Sequence, residues 1–443
     1  MFVRRCVLRV RDRLRFHPAA KAAAARLHAM HAVALATRQP GVALESWCAA
    51  ARVAGSDAAM RRIERRASAM LDAMTPAELW SLAPAEQREV TVRKAAILKP
   101  WQGDAERGVM IISFESQWVH LLSLGPGRLA RFLEQYRLVL APTWSPPHHA
   151  VNFLFPRLAG QPLVTTISND RDLEILPRLH PGYRPVPLFA SSWVDASLYQ
   201  PRPFAEREVD LVMVANFGAY KRHHVLFRAL AGGAAPSLKK IVLIGQPQDQ
   251  RTAEVLLREA DLYGVRDRFD LRSRISDAEL VDTLCRAKTS FIASLREGSC
   301  VAVVEAMMAG TPVALLRGAA IGSARFVNDA TGRWLEEAHL ADGLEQFLRD
   351  ASQFRPREWL LKNSIEARGS TICLQEALAG AAAKEGQAWT HGLTPHHWRP
   401  DPLLLDAAAI PAARAEAERL HATFGLRLVS PQLLEAAVYS AIS

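Results

Sequence analysis

The rhythm of apolar and polar positions changes near Gly108. Up to about residue 100, Ala, Arg, Leu and Met dominate, strand-like runs are missing, and apolar residues fall at helical spacing, most clearly over 57–74. Thr75-Pro76-Ala77-Glu78 has the form of a helix cap followed by proline in the first turn. Ser81-Leu82-Ala83-Pro84 begins another short helix or turn. After Gly108 the apolar residues gather into short unbroken runs, as in strands buried on both faces. Strands are predicted at 109–114 and 138–140, with weaker candidates at 163–167 and 186–189, and a helix at 128–135. Pro201-Arg202-Pro203 ends regular structure and reads as a linker. Beyond it, strands at 209–215, 240–244, 269–271, 289–293 and 312–315 alternate with helices at 221–231, 251–263, 277–286, 301–309 and 341–351. That alternation predicts a doubly wound parallel sheet. Past about residue 355 the chain reads as helical with proline-rich interruptions. Four parts result: a helical region 1–100, an α/β domain 101–200, a second α/β domain 201–355 and a helical tail 356–443.

Composition adds bounds. The 443 residues, 49% of them hydrophobic, can bury more than one core and argue against a disordered chain. No apolar run approaches a membrane span, and Met1-Phe2-Val3-Arg4-Arg5 lacks the apolar stretch of a secretory signal, so a cytoplasmic protein is expected. Cys6, Cys48, Cys285, Cys300 and Cys373 are scattered, with no C-x-x-C pair or zinc-ligand spacing, and read as buried thiols. The net charge of +10 is concentrated at the start, where Arg4, Arg5, Arg9, Arg11, Arg13, Arg15, Lys21 and Arg26 face only Asp12. A solvated basic helix and adhesion to anionic lipid headgroups, at about 1 kcal/mol per near-surface cation, are both open readings. Nucleic-acid binding ranks behind them.

In a doubly wound sheet, ligands bind beyond the carboxyl ends of the strands. Two strand ends carry chemistry. Val214-Ala215-Asn216-Phe217-Gly218-Ala219-Tyr220-Lys221-Arg222 runs from a strand through a small-residue loop to two cations at a helix start, a fitting cradle for a diphosphate. Basic residues at helix starts are also ordinary surface, so this stretch alone decides nothing. Ser294-Leu295-Arg296-Glu297-Gly298-Ser299-Cys300 ends a second strand, and the helix after it holds Glu305 among Val303, Val304, Ala306, Met307 and Met308. A carboxylate in so apolar a helix is costly to bury unless satisfied, and ribose hydroxyls are one way to satisfy it. Glu297 is placed to accept from sugar hydroxyls, and Gly298 lets the backbone approach a phosphate.

This stretch resembles the nucleotide-sugar half of retaining GT-B glycosyltransferases of family 4. The match is Glu297 and Glu305 at the E-x7-E spacing, followed by Ala-Met-Met-Ala-Gly-Thr-Pro-Val, with Lys221 where that family places a phosphate-binding lysine. Val194-Asp195-Ala196-Ser197-Leu198-Tyr199-Gln200-Pro201 is similar to its V-D-x-x-x-F/Y-x-P passage, and Asn328-Asp329-Ala330-Thr331-Gly332 to its later Thr-Gly turn. The resemblance covers about residues 185–350. It implies two Rossmann-like doubly wound domains facing a cleft, here with an N-terminal helical extension and a C-terminal helical tail. The implied reaction moves a sugar from a nucleoside-diphosphate sugar to a hydroxyl acceptor on a glycan or lipid, with retention and without a metal or other cofactor. Lys221 and Glu297 take the catalytic roles; Asn216, Arg222, Gly298, Ser299, Cys300 and Glu305 bind substrate. Two departures stand out. Asn216 occupies the position of an arginine that helps neutralise the diphosphate, and no clear glycine-rich loop follows the first N-terminal strand, since Leu124-Gly125-Pro126-Gly127 reads as a plain turn. A GT-B-like scaffold without activity and a GT-B-fold sugar-nucleotide epimerase are the rival readings. The implied partners are the donor and the acceptor, not nucleic acid; the basic N-terminus adds an anionic membrane surface as an open reading, and with it a peripheral place on the inner face of the plasma membrane.

Other signals have plainer accounts. Asp170-Arg171-Asp172 has the D-x-D form that binds metal in GT-A enzymes, but reads here as a helix cap. The adjacent pairs His148-His149, His223-His224 and His396-His397 read as loop polarity, because neighbours in sequence point apart. His120 is a weak candidate for the sugar end of the cleft. Glu115 reads as an exposed strand-end carboxylate before an acceptor base, and Trp118, Trp144 and Trp193 as core packing before sugar platforms.

Overall fold

The computed structural model describes residues 10–144, 146–399 and 401–434. The chain divides into two compact units, one spanning Ser191–Ala367, the other made of Asp12–Ala190 together with the chain from Arg368 onward.

In the second of these, β1 (Val90–Arg93), β2 (Ala95–Lys99), β3 (Gly108–Ser113), β4 (Tyr136–Ala141), β5 (Leu163–Thr165) and β6 (Tyr183–Pro185) come first along the chain. The five strands β2 to β6 lie side by side in sequence order, β2 antiparallel to β3 and the rest parallel. Right-handed crossovers between strands that advance in one direction put their helices on one face. These are Glu115–Leu122, Gly125–Gln135, Val151–Ala159 and Asp172–Leu179. The N-terminal helices pack onto that layer: Asp57–Asp72 touches Val151–Ala159 and Asp172–Leu179, and Arg178 pairs with Glu64 at 2.9 Å. Thr75 and Glu78 form the expected capping box of Pro76–Ser81.

The inserted unit contains β7 (Val209–Val214), β8 (Ile241–Gly245), β9 (Phe269–Ser273), β10 (Ala287–Ile292), β11 (Val313–Leu316) and β12 (Gly332–Leu335). They form one parallel sheet in the order β12-β11-β10-β7-β8-β9. This is the Rossmann order, with the direction of winding reversing between β7 and β10. Alternate residues of the strands, among them Leu211, Met213, Leu243, Phe291 and Ala314, pack against the helices His223–Ala229, Ala253–Tyr263 and Leu340–Asp350. The intervening residues face the opposite side, which accounts for the unbroken apolar runs. Gly332 is required at the β11–β12 edge, because a Cβ there would lie 2.0 Å from the Val313 carbonyl oxygen.

The chain then returns to the first-described unit. The helix Ala367–Lys384 leads to the hairpin β13 (His396–Arg399) and β14 (Asp401–Leu404), then to the helix Ile410–Phe424 and β15 (Leu426–Val429). Ile410–Phe424 packs on β2, its Glu416 accepts from the Tyr136 hydroxyl, and Glu385 pairs with Arg137 at 2.8 Å. The second sheet face is thus covered from the far end of the chain, and β15 pairs in parallel with β1. Two expectations need correction. Residues 90–99 are strands although the region reads as helical: Ala95–Lys99 is wholly buried, and tertiary burial overrides the helix propensity of alanine. The tail is not all helix either, since β13, β14 and β15 lie within it.

Candidate functional site

The reversal between β7 and β10 leaves a crevice at their carboxyl ends, the place where an open α/β sheet binds ligands. Both motif-bearing loops leave from there. After β7, the side chain of Asn216 closes its own loop, accepting from the Gly218 amide at 3.1 Å and donating to the Tyr220 hydroxyl at 2.8 Å. Gly245 lets β8 pass close to this turn, because a Cβ would lie 2.1 Å from the Ala215 carbonyl oxygen. Lys221 follows in a short 3-10 turn, with its ammonium 5.3 Å from the Tyr220 ring centre.

After β10 the chain turns through Glu297 into the helix Val301–Met308, with Cys300 in the left-handed region at φ +54. A non-glycine residue held there is strained, and such strain gathers at ligand-binding turns. The two loops meet: Lys221 Nζ donates to Glu297 Oε2 at 2.6 Å, with the side chains only 12% and 8% exposed. Burial alone lowers the lysine pKa, but the Glu297 carboxylate outweighs it and the net shift is upward, so Lys221 stays charged. Among the described residues, the other oxygen, Glu297 Oε1, is buried without a hydrogen-bond partner, as are Ser294 Oγ and His223 Nδ1. Unsatisfied buried groups are rare enough to point to a ligand or water. Burial, then the Glu297 charge, holds the Cys300 thiol well above its usual range, so it is a neutral wall.

The remaining sequence candidates are placed as follows. Arg222, buried in the left-handed region, turns to Glu337 at 2.8 Å and to the Ala293 carbonyl at 3.3 Å. Glu337 also takes Arg228 at 2.6 Å. Burial raises the Glu337 pKa, but the two guanidiniums bring it below its usual range. The Gly298 carbonyl accepts from the Gly322 amide at 2.7 Å. The Ser299 hydroxyl accepts from the Ser191 amide and donates to its hydroxyl, both at 2.9 Å. Glu305 shares the half-buried helix face of Val301 and Ala302, while Val303, Val304 and Ala306 to Met308 are core. It accepts from the Tyr199 hydroxyl at 3.4 Å. Sequence reasoning missed Tyr199, Ser191 and Glu337. Of these only Tyr199 had a signal, as the aromatic position of the passage 194–201.

Residues 197–364 match the family model described as Glycosyl transferases group 1. That segment is similar to the group 1 glycosyl transferases. No curated protein matches the chain. Among solved structures it is similar to sucrose-phosphate synthase from Thermosynechococcus elongatus, at 17% identity over 63% of this chain and 74% of that one, with a TM-score of 0.46. It is also similar to Anabaena HepE in complex with UDP, at 18% identity over 61% and 78%, TM-score 0.47. A glycosyltransferase from Rickettsia africae ESF-5 gives 12% identity over 63% and 77%, TM-score 0.47. Lys221, Glu297 and Glu305 all lie within the matched segment.

Elsewhere in the chain, several expectations change. Glu115 is not exposed: it is buried and accepts from the Thr143 amide at 3.1 and 3.2 Å and from its hydroxyl. With Thr143 and His149 it lines a cavity of about 430 Å³ at the ends of β3 and β4. Gly125 opens a helix rather than a plain turn. Asp172 does close its loop, accepting from Ser168 and Asn169 amides at 2.8 and 3.1 Å; burial pushes its pKa up to about 6. The histidine pairs are not loop polarity. His148, His223, His224 and His396 are buried, and burial pushes His223 down to about 3, so it packs as a neutral ring. Trp118 and Trp193 are core, Trp118 donating to the Ile112 carbonyl at 2.8 Å; His120 is exposed on its helix. Arg4, Arg5 and Arg9 lie outside the described residues.

Proposed function

We propose that this protein transfers a sugar from a nucleoside-diphosphate sugar to a hydroxyl of a glycan or lipid-linked acceptor, with retention at the sugar carbon and without a metal or other cofactor. The observation that carries the reading is the Lys221–Glu297 pair at the winding reversal, with Glu297 Oε1 buried and open to a donor. Lys221 exchanges its internal carboxylate for the diphosphate and stabilises the charge that grows there as the glycosidic bond breaks. Glu297, released from the lysine, accepts from sugar hydroxyls. Glu305 accepts from the ribose, backed by Tyr199. The first amides of Val301–Met308, before Val303, whose amide donates to the Cys300 carbonyl at 3.2 Å, add donors beside Gly298, Ser299 and Cys300. Asn216 shapes the loop under the phosphates. Arg222, held by Glu337, lends positive field rather than a direct contact. An anionic membrane on the cytoplasmic side belongs to the same reading, as the place of a lipid-linked acceptor.

The test is a thermal-shift screen of nucleoside diphosphates and their sugars, followed by a transfer assay with the best donor in excess chelator. A ligand that binds only the folded state raises the melting temperature. Transfer that survives chelation and keeps the anomeric configuration supports the reading. Binding without transfer identifies a scaffold, conversion of free donor without acceptor identifies an epimerase, and full loss on chelation returns attention to Asp170 and Asp172.

A further inference from the structure

The N-terminal helical region has an outer side that the transfer chemistry does not use. The helix Pro18–Leu35 packs on Pro40–Val53 and buries Ala25 and Ala32. Its outward positions Ala19, Ala23, Leu27, Met30 and Ala34 are all exposed and recur at i, i+4, i+8, i+11 and i+15, a single stripe along the helix. Leu27 and Met30 are each 68% exposed, with Val33 at 52% beside them and Leu14 at 57% in the turns before. A surface helix ordinarily turns its apolar stripe inward and its polar face out. Here the inward face is alanine-rich, with Ala25 and Ala32 buried, and the larger apolar side chains Leu27 and Met30 stand on the outward one.

The charge around this stripe has one sign. Between Asp12 and Glu45 there is no acidic residue, while Arg13, Arg15, Lys21, Arg26 and Arg38 all fall in that interval. Arg13, Arg15, Arg26 and Arg38 are exposed. We propose that this face docks on an anionic lipid bilayer, with Leu27, Met30 and Val33 entering the boundary between headgroups and acyl chains and the arginines meeting lipid phosphates. Apolar insertion and headgroup attraction together hold interfacial helices, neither being strong alone. A second copy of the chain is a poorer occupant, because a two-fold contact sets the same cations against each other with no acid on the face to neutralise them. Nucleic acid is poorer too, since phosphate-backbone binding is driven by charge and leaves Leu27 and Met30 without partners. The docking face stands on this helix; its bearing on the acceptor rests on the transferase reading.

The experiment is co-sedimentation of the full-length protein with phosphatidylcholine vesicles, with and without phosphatidylserine, at low and at physiological salt. Binding to the phosphatidylserine vesicles alone, weakened by salt, is expected. The double variant Leu27→Glu/Met30→Glu should bind them roughly tenfold more weakly, since it loses insertion and gains repulsion. Arg13→Glu/Arg26→Glu should also lose binding while keeping the wild-type melting temperature. Failure to bind phosphatidylserine vesicles, or equal binding by wild type and Leu27→Glu/Met30→Glu, overturns the proposal. So does concentration-dependent dimerisation that the same double variant abolishes. Donor binding, followed by thermal shift on the same preparations, separates the two readings. Vesicle binding without any nucleotide response sinks the transferase and leaves the docking face standing; the reverse pattern does the opposite.

Discussion

Lys221 and Glu297 neutralise each other, so the proposed diphosphate would compete with a carboxylate for the same ammonium. On the proposed reading an intact donor answers both partners, phosphate to the lysine and hydroxyl to the glutamate, whereas a free nucleoside diphosphate answers only the first. Glu297→Gln removes the internal competitor. The expected outcome is that free nucleoside diphosphate binds no more weakly than to wild type, while kcat falls at least tenfold, the mark of an interaction realised with the sugar. Calorimetric Kd values beside turnover numbers check it; a parallel loss of affinity and rate sinks the competition. Lys221→Ala should lower kcat by roughly 10²–10³-fold, the scale of deleting one transition-state charge stabiliser. Lys221→Arg should recover only part, because a planar guanidinium differs in reach and shape. Near wild-type turnover in Lys221→Ala, measured with one identified donor, would overturn the assignment.

At the scale of elements, the loop from Ser168 to Asp172 makes stability depend on pH. The folded-state pKa of Asp172, about 6, stands above the ordinary 3.8 because burial outweighs its hydrogen bonds from Ser168 and Asn169. A raised carboxyl pKa favours the folded state while the group is protonated. Its contribution is full below 3.8 and is lost as pH rises through about 6. The melting temperature should therefore fall more steeply from about pH 4 to about pH 6 in wild type than in Asp172→Asn, followed by circular dichroism; equal slopes would discount the group. The elements legible in the sequence were those whose burial is written locally. Strands β7, β8, β10 and β11 are buried on both faces and show as apolar runs, and the caps and stops of their helices lie within a few residues. Strand β12 carries no such mark, because Arg333 and Trp334 are half-exposed at a sheet edge, and β1 carries none because its partner lies beyond residue 425. The site follows the same rule. Lys221 and Glu297 each stand out at a strand end, but their contact spans 76 residues and exists only once β7 and β10 are neighbours. The exits of Asn216 toward Tyr220 and of Arg222 toward Glu337 depend on side-chain packing that carries no local mark.

Across the whole molecule, the segment Ser191–Ala367 interrupts the unit made of Asp12–Ala190 and the chain from Arg368 onward. The segment Ser191–Ala367 holds every strand and helix of its own sheet. Expressed alone it should melt cooperatively and keep the nucleotide-induced rise in melting temperature. The segment 12–190 alone should not fold, because β1 lacks β15 and the face of β2 and β4 lacks Ile410–Phe424 and Glu385. Calorimetry of both segments decides it; a cooperative transition in 12–190 would show the C-terminal cover to be dispensable. The interruption also sets a timetable for synthesis. Chains are made from the N-terminus at roughly 5–20 residues per second, and domains tend to close as they are completed. The inserted unit is complete at Ala367, but β15 ends at Val429, 62 residues later (429 − 367). For an interval on the order of several seconds, a finished inserted unit therefore hangs from a nascent chain whose other sheet still shows one bare apolar face. That face, rather than anything in the donor site, is where the newborn protein most needs a chaperone.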